Sequence, residues 1–303
     1  MSSPSQEATH DAAPADLQQT PIHPYLGLLV ATIAVSFSAI LIKESSAPPV
    51  VLAAYRLGIT TLLLAPSLLG FRWRHLISLT QRQWGLMAAA GALLALHFAF
   101  WTASLSYTSV ASSVLFVSVH PAFVAAASWV LLQERLRPRA VFGIALTLLG
   151  SAVIAWGDVR LSGQALRGDG LAILGAVVFA GYLLIGRTVR PQLDNLSYST
   201  PIYGIAACCL FALTFPTGQA IVAVTGRDLA IFLALAVIST LGGHLLYNWT
   251  LRYVPTALVS VSFLGEPVLA SLLAWGLLAQ TPPLGTLVGG LIVLSGIALT
   301  VQR

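Results

Sequence analysis

Charged residues are scarce in this sequence, and their scarcity excludes most water-soluble folds. Asp, Glu, Lys and Arg make up 8% of the 303 residues, whereas 57% are hydrophobic. Soluble domains carry roughly 25% charged residues, so we expect a chain that is solvated by lipid. The two cysteines, Cys208 and Cys209, are adjacent in an apolar run. Because disulfide geometry is demanding, we interpret them as small hydrophobic side chains.

Motifs that carry enzymatic chemistry are also missing. The sequence has no His-Glu-x-x-His metal pair, no Gly-x-Ser-x-Gly elbow and no phosphate loop of the Gly-x-x-x-x-Gly-Lys type. The net charge of +5 comes from basic residues scattered singly between apolar segments, which form no patch for nucleic acid. The sequence therefore predicts a protein that is not an enzyme and that has no metal, cofactor or nucleic-acid partner.

Ten apolar segments are long enough to cross a bilayer, since a spanning helix needs about 20 mostly apolar residues. They are residues 24–42, 48–69, 84–105, 107–132, 139–157, 169–187, 197–216, 228–250, 254–279 and 284–301. Short connections rich in Pro, Gly and Asp separate them. Residues 1–23 are polar and lack Lys and Arg, and we expect them to form a disordered cytoplasmic tail.

The distribution of Lys and Arg predicts the orientation of the chain. Ten basic residues fall in one set of connections and the C-terminus, and four fall in the other set, with Arg56 inside a helix. The positive-inside rule then places both termini in the cytoplasm. We expect a multi-pass protein of a bacterial-type inner (plasma) membrane.

An internal repeat with a shift of 146 positions divides the chain. It superposes Tyr107 on Tyr253, Pro121 on Pro267, Trp129 on Trp275 and Gly143 on Gly289, with no gap. Each unit, 24–157 and 168–301, holds five predicted helices. An odd number means that the second unit enters the membrane upside down relative to the first. The predicted fold class is an all-α polytopic membrane protein with ten transmembrane helices in two inverted-topology five-helix repeats.

The sequence also resembles the EamA family of ten-helix carriers within the drug/metabolite transporter superfamily. The matching elements are Arg56-Leu57, Tyr107-Thr108-Ser109-Val110, Pro121, Glu134-Arg135-Leu136 and Glu266-Pro267. One departure is Gln280, which stands where the first half has Glu134. The resemblance implies export of amino acids or similar metabolites, with proton coupling.

Two ionisable residues lie at mid-helix, each directly before a proline. His120 is the fourteenth residue of its predicted helix and Glu266 the thirteenth of its own. Charges at the bilayer centre cost roughly 2.5–3.5 kcal/mol on insertion scales. Kinks at Pro121 and Pro267 with polar groups at the break are a common way to line a midplane cavity. The alternative is that the prolines only bend helices for packing and that His120 stays neutral against nearby backbone.

Two further trios share a helical face in the third and eighth predicted helices. His97, Phe100 and Trp101 have i, i+3, i+4 spacing, and so do His244, Tyr247 and Asn248. Aromatic rings beside hydrogen-bonding groups suit a cavity for an amphipathic small molecule. The alternative is a packing stripe in which each histidine is satisfied locally.

The remaining polar candidates are Arg56 and Glu134, and each has a structural alternative. Arg56 lies in the outer part of the second predicted helix, so it could contact an anion, pair with an acid in a gate, or snorkel to the surface. Glu134 follows the fourth helix and could close the cytoplasmic side or form a surface ion pair. Glycines such as Gly143 and Gly296 allow close helix contact within the monomer or at a dimer seam.

Taken together, these features predict a secondary transporter of a small metabolite, amino-acid-like or related, that exports by alternating access. Its expected partners are the substrate, the bilayer and protons; a homodimer is not indicated. One alternative is an importer or facilitator of nucleotide-sugar-like or vitamin-like solutes. Another is a membrane-embedded lipid-modifying enzyme that uses His120 and Glu266 as acid and base.

Overall fold

The computed structural model describes residues 23–132, 137–161, 163–189, 193–218, 221, 224–250 and 262–301, and every regular element within them is helical. The helices are α1 (Pro24–Glu44), α2 (Pro49–Leu64, extended by a 3₁₀ turn at Ala65–Leu68), α3 (Phe71–Ile77), α4 (Gln81–Ser104), α5 (Val110–Val117), α6 (His120–Leu132), α7 (Pro138–Leu161), α8 (Gly163–Val189), α9 (Asn195–Thr217), α10 (Gly226–Ala234), a π-helical segment (Leu235–Leu245), α11 (Leu246–Thr250), α12 (Gly265–Leu278) and α13 (Leu284–Val301).

The predicted fold class is confirmed. Among the described residues, eight helices are long and apolar enough to cross a membrane. The shorter apolar helices Gly265–Leu278 and Leu284–Thr300 lie at the ninth and tenth predicted positions. Residues 1–22 of the predicted tail (1–23), the Glu134 connection (133–136) and the start of the ninth segment (251–261) lie outside the described part of the chain.

The fourth predicted helix is broken rather than continuous, which corrects the expectation of one kinked helix over 107–132. Residues 105–108 form a turn, the side chain of Ser109 caps α5, and α5 ends at Val117. Ser118 and Val119 form a second turn before α6 starts at His120. The second half has its corresponding turn at Leu264, which is 146 positions after Ser118, and α12 starts directly after it. Both breaks precede a proline, which cannot donate a backbone hydrogen bond.

Three other expectations about the helices are wrong in detail. The connection after the second predicted helix contains a short helix, α3. The connection expected at 158–168 is almost entirely helical, because α7 runs to Leu161 and α8 begins at Gly163. The eighth helix contains eleven π-helical residues, Leu235–Leu245. π-helical turns are rare and frequently lie at functional sites.

Helices α7 and α13 pack through equivalent glycines of the two halves. A Cβ on Gly143 would lie 2.6 Å from the carbonyl oxygen of Gly296, and one on Gly150 would lie 2.7 Å from that of Gly289. Gly289 is equivalent to Gly143 and Gly296 to Gly150, so the contacts are reciprocal. Reciprocal contacts of this kind are expected when two antiparallel helices, here α7 and α13, are related by a two-fold axis. These glycines therefore allow close helix packing within the monomer, which was one of the two interpretations of the sequence; the other was a dimer seam.

The two ends of the bundle are tied together differently. One end carries fewer Lys and Arg residues than the other, and we call it the charge-poor end. There, the residues around 43–48, 105–110 and 279–283 contact one another. At the opposite, arginine-rich end, Arg72 and Asp194 form an exposed ion pair 3.3 Å long. Partial burial raises the pKa of Asp194, but hydrogen bonds from Ser197 and Arg72 outweigh it and hold the pKa below its ordinary value.

Candidate functional site

The break between α5 and α6 frees a backbone carbonyl, and His120 contacts it. Pro121 has no N–H to donate to the carbonyl of Val117 four residues earlier. The Nδ1 atom of His120 lies 3.2 Å from that oxygen instead. A neutral ring that donates from Nδ1 keeps Nε2 as an acceptor. The ring remains half-buried and meets Phe179 edge-on, with centroids 4.9 Å apart.

Glu266 occupies the matching position at the second break. It stands one residue after the start of α12 and directly before Pro267. The side chain is half-buried and interacts electrostatically with the guanidinium of Arg56. Within the described residues, however, no hydrogen bond or ion pair reaches its carboxylate. Arg56 and Glu266 therefore influence each other electrostatically without a hydrogen bond between them in the described part of the chain.

Arg56 lies in the interior of the protein, with an exposed fraction of 0%. The interpretation that it snorkels to the surface is therefore wrong. Its Nε donates to Thr240 Oγ1 at 2.9 Å, and its Nη1 donates to Ser38 Oγ at 2.8 Å. The guanidinium carbon stands 4.6 Å above the centre of the Phe98 ring. The remaining nitrogen, Nη2, is buried and has no hydrogen-bond partner among the described residues.

The π-helical segment presents Thr240 to Arg56. Thr240 Oγ1 donates to the carbonyl of Leu235, five residues earlier, at 3.1 Å, which leaves its lone pairs for the arginine. The same segment lies tightly against α1, because a Cβ on Gly243 would come within 2.4 Å of the Val35 side chain. The arginine is thus held between α1 and the second half of the protein.

A cluster of aromatic rings connects these charged groups. His97 stacks on Phe179 at 4.4 Å and on Trp101 at 6.2 Å, and its Nδ1 lies 3.1 Å from the carbonyl oxygen of Gly175. Phe98 meets the half-buried ring of His244 edge-on at 6.3 Å. Trp101 is buried, and its indole N–H has no partner among the described residues. The histidines of the two repeats therefore meet in one cluster with Arg56.

The remaining predicted site residues have no described contact with the cluster around Arg56. Tyr247 is 2% exposed, donates to Thr32 Oγ1 at 2.7 Å and stacks on Phe263 at 4.0 Å. Phe100 is half-buried on α4. Asn248 lies on α11, but its side chain is outside the described part of the structure, and so is the whole of Glu134.

Sequence reasoning missed Phe98, Phe179, Ser38 and Thr240. Phenylalanine, serine and threonine are common in apolar helices, so their presence in the sequence does not indicate a functional site. One signal was present for Phe98, because the shift of 146 superposes it on His244. These two residues are also in contact, as expected for equivalent positions close to a two-fold axis.

The charge-poor end is closed by polar contacts between the two halves. Asp228 accepts hydrogen bonds from Ser45 Oγ at 2.7 Å, Ser46 N at 2.9 Å and Ser46 Oγ at 2.8 Å. Val110 N donates to Gln280 Oε1 at 3.2 Å, and Thr108 donates to Asp169 at 3.0 Å. An exposed ion pair joins Arg227 to Glu44. We call the carboxylate of Asp228 with its two serine partners the Asp228 latch.

A small cleft at the same end does not contain the charged cluster. Its volume is about 150 Å³, and Lys43, Thr102 and Ser106 are among its lining residues. It offers a few polar atoms near the surface, whereas Arg56 and Glu266 are opposite charges in the interior. Since charges inside a membrane protein are costly and are usually functional, we place the candidate site at the cluster. Among the described residues, no group of three His, Cys, Asp or Glu side chains could hold a metal ion.

Comparison with known proteins identifies a family across nearly the whole chain. The profile of the EamA-like transporter family matches residues 23–156 and 166–302. An uncharacterized transporter from Archaeoglobus fulgidus is 24% identical over 93% of this chain and 97% of its own length. The pseudopaline exporter CntI from Pseudomonas aeruginosa is 27% identical over 90% of this chain and 95% of its own.

A solved crystal structure has the same fold. It covers 91% of this chain, and this chain matches 96% of its length, with a TM-score of 0.62 and 20% sequence identity. At this identity the likeness extends to the helical architecture and not to the chemistry of the site.

Proposed function

The chain belongs to the EamA-like transporter family, and from that premise we propose that it is a secondary carrier that exports a small, amino-acid-like metabolite by alternating access. The observation that supports this most is the pair of opposite charges, Arg56 and Glu266, in the protein interior. They come from different halves, each influences the other electrostatically, and no ion pair joins them among the described residues. A site between two inverted repeats is exposed to each side in turn when one half rocks against the other.

Export by a relative supports the direction of transport that we propose. The relative from Pseudomonas aeruginosa is named as a pseudopaline exporter. The Asp228 latch supports the alternating-access mechanism, because its contacts join the two halves and must break for the charge-poor end to open. Glu266 is the acid that we propose to carry the coupling proton, since its carboxylate lacks any hydrogen bond within the described residues.

We also propose that both termini lie in the cytoplasm of a bacterial-type cell and that the charge-poor end faces outward. Reporter fusions at Arg303 and near residue 162 test this topology. Activity on opposite sides of the membrane is expected because an odd number of helices separates the two positions. Activity on the same side would exclude the ten-helix arrangement.

Counterflow in proteoliposomes tests the carrier activity. Vesicles preloaded with an unlabelled amino-acid mixture should accumulate external labelled amino acid transiently, and the solute recovered should be chemically unchanged. A chemically altered product would instead indicate a membrane-embedded enzyme. The same assay with nucleotide sugars or thiamine tests the importer and facilitator alternatives.

A further inference from the structure

The short helix α3 lies in the connection between α2 and α4 and exposes large apolar side chains at the arginine-rich end. The exposed side chains, each between 57% and 80% exposed, are Leu69, Phe71, Trp73 and Ile77. A contiguous exposed apolar patch marks a contact with a membrane or another protein. The patch therefore needs an occupant.

Contacts with the rest of the bundle hold α3 in one orientation. Leu76 is 2% exposed and anchors the helix from below. Arg72 Nη1 donates to a carbonyl of the preceding 3₁₀ turn at 3.1 Å, and Arg72 Nε pairs with Asp194 of the second half at 3.3 Å. Trp73 and Ile77 have i, i+4 spacing, so they share one face of the helix. Packing on the inner side thus presents these two side chains outward.

The position of α3 points to the bilayer as the occupant. The apolar span Pro49–Leu68 ends three residues before α3 begins, which places α3 at the level of the lipid headgroups. Leu62 and Leu63 on α2 are also exposed, so the patch continues the lipid-facing surface of this span. A seven-residue helix has little stability of its own in water. An amphipathic helix at the membrane interface instead buries its apolar face at the boundary between headgroups and acyl chains.

The arginines of α3 give the patch a preference for negative headgroups. Arg74 is exposed and follows Trp73 directly, whereas Arg72 shares its charge with Asp194. A guanidinium matches phosphate geometry, and basic residues beside a span attract anionic lipids. The equivalent segment of the second repeat, 217–223, reads Thr-Gly-Gln-Ala-Ile-Val-Ala and has neither arginine nor an aromatic residue. The combination is therefore specific to the first half.

We propose that α3 and Leu69 form a binding site for an anionic phospholipid, in which Arg74 contacts the headgroup phosphate while Trp73 and Ile77 contact the upper part of the acyl chains. The ion pair between Arg72 and Asp194 joins α3 to α9, so a lipid that holds α3 in place also stabilises the bundle. This site is separate from the Arg56 cluster, and it does not depend on the substrate of the carrier.

A nitroxide label tests whether the outer face of α3 lies in the membrane. Ile77→Cys is labelled in a background with Cys208→Ala and Cys209→Ala, and the full-length protein is reconstituted in vesicles of phosphatidylglycerol and phosphatidylcholine. The label should be more accessible to oxygen than to a water-soluble nickel chelate. Leu62→Cys, on the lipid-facing surface of α2, provides the reference for the hydrocarbon region. Greater accessibility of the Ile77→Cys label to the nickel chelate overturns the proposal.

Lipid titration of the purified protein in detergent tests the headgroup preference. The probes are dioleoylphosphatidylglycerol, dioleoylphosphatidylcholine and sn-glycerol 3-phosphate, which carries the phosphate without acyl chains. Phosphatidylglycerol should raise the melting temperature at lower concentration than phosphatidylcholine, and glycerol phosphate should not raise it. Equal stabilisation by phosphatidylcholine overturns the preference for negative headgroups. Equal stabilisation by glycerol phosphate would indicate a soluble phosphate ligand and overturn the lipid site.

Two variants and two matched controls assign the effect to α3. Arg74→Gln should weaken the apparent affinity for phosphatidylglycerol about fivefold and leave that for phosphatidylcholine unchanged. Trp73→Ala should weaken both. Arg167→Gln and Phe215→Ala remove an exposed arginine and an exposed aromatic ring at the charge-poor end, and neither should change the affinity. Equal losses in variants and controls overturn the site, and should Trp73→Ala fail to fold, Arg74→Gln and the nitroxide label still decide.

Discussion

Replacing Asp228 by asparagine should loosen the charge-poor end of the bundle. The carboxylate accepts three hydrogen bonds from the other half, at 2.7 Å from Ser45 Oγ, 2.9 Å from Ser46 N and 2.8 Å from Ser46 Oγ. It also accepts one from Thr225 Oγ1 at 2.6 Å, which belongs to the capping box of α10. Asparagine keeps one oxygen acceptor but replaces the second by an amide donor.

The size of the effect follows from these contacts. Hydrogen bonds to a charged group contribute about 1.5–3 kcal/mol each. Contributions that share one carboxylate are not additive, and asparagine keeps part of the network. We therefore expect the closed end to lose about 1–3 kcal/mol relative to the open end, which corresponds to a roughly 5- to 150-fold larger open population.

Labelling of a cysteine behind the latch measures this population. Thr102 lies on α4 at the charge-poor end and is 1% exposed. In a background with Cys208→Ala and Cys209→Ala, Thr102→Cys should react slowly with a polar maleimide in detergent solution. Adding Asp228→Asn should accelerate the reaction in proportion to the open population.

Two controls separate opening of the end from local damage. Asp194→Asn makes the same change at the other end, where Asp194 caps α9 and pairs with Arg72, so the labelling rate should not change. Thr225→Val removes the local cap of α10 but none of the bonds between the halves, and it should have little effect. An unchanged rate in Asp228→Asn, or equal acceleration in Asp194→Asn, would refute the latch.

Three further predictions concern packing, binding and pH. Gly150→Ala should destabilise the protein by about 1–3 kcal/mol in thermal unfolding, because its Cβ would lie 2.7 Å from backbone atoms of α13. Gly85→Ala, which meets nothing within 4 Å, should be neutral or stabilising, and equal effects of the two changes would contradict the glycine contact. Trp101→Phe keeps the stacking but removes the indole N–H, so binding of the best counterflow substrate should weaken about tenfold with little change in melting temperature; unchanged affinity would show that this N–H is not used. Because the pKa of Asp194 is held below its ordinary value, its contribution to stability is present above the ordinary aspartate pKa and is lost as the pH falls through the lowered one. Melting curves should show less acid sensitivity in Asp194→Asn than in the unmodified protein, and identical pH profiles would contradict this.

The helical framework could be predicted from the sequence because its signals are local. Apolar length predicts the spans. The repeated prolines predicted where backbone hydrogen bonds would be lost, and the breaks at Ser118–Val119 and Leu264 lie two to three residues before them. That each helix would be interrupted, rather than only bent, could not be predicted, because a proline in a helix is compatible with either outcome.

The interior position of Arg56 could not be predicted, because its partners are distant in the sequence. Ser38 and Thr240 are ordinary hydroxyl residues in apolar helices, and only tertiary packing brings them to the guanidinium. Sequence position alone made a surface location equally reasonable. The π-helical geometry of Leu235–Leu245 likewise has no local signature in the sequence.

The roles predicted for His97 and Tyr247 remain predictions. His97 is buried against Gly175 and three aromatic rings, and Tyr247 is hydrogen-bonded to Thr32. Such contacts satisfy a side chain in the absence of ligand, as the packing interpretation expected. Their spacing on a helical face was correct, but spacing cannot distinguish a ring that binds substrate from a ring that packs.

Accumulation of the best counterflow substrate under an imposed pH gradient tests the central claim, that Glu266 between the two halves couples transport to protons. Proteoliposomes of the unmodified protein should concentrate the labelled substrate when the gradient is imposed and lose it when the gradient is collapsed. Glu266→Gln should fold normally, because the amide has nearly the same shape, and its residual exchange should no longer respond to the gradient. Gradient-driven accumulation by Glu266→Gln at the level of the unmodified protein would contradict the account.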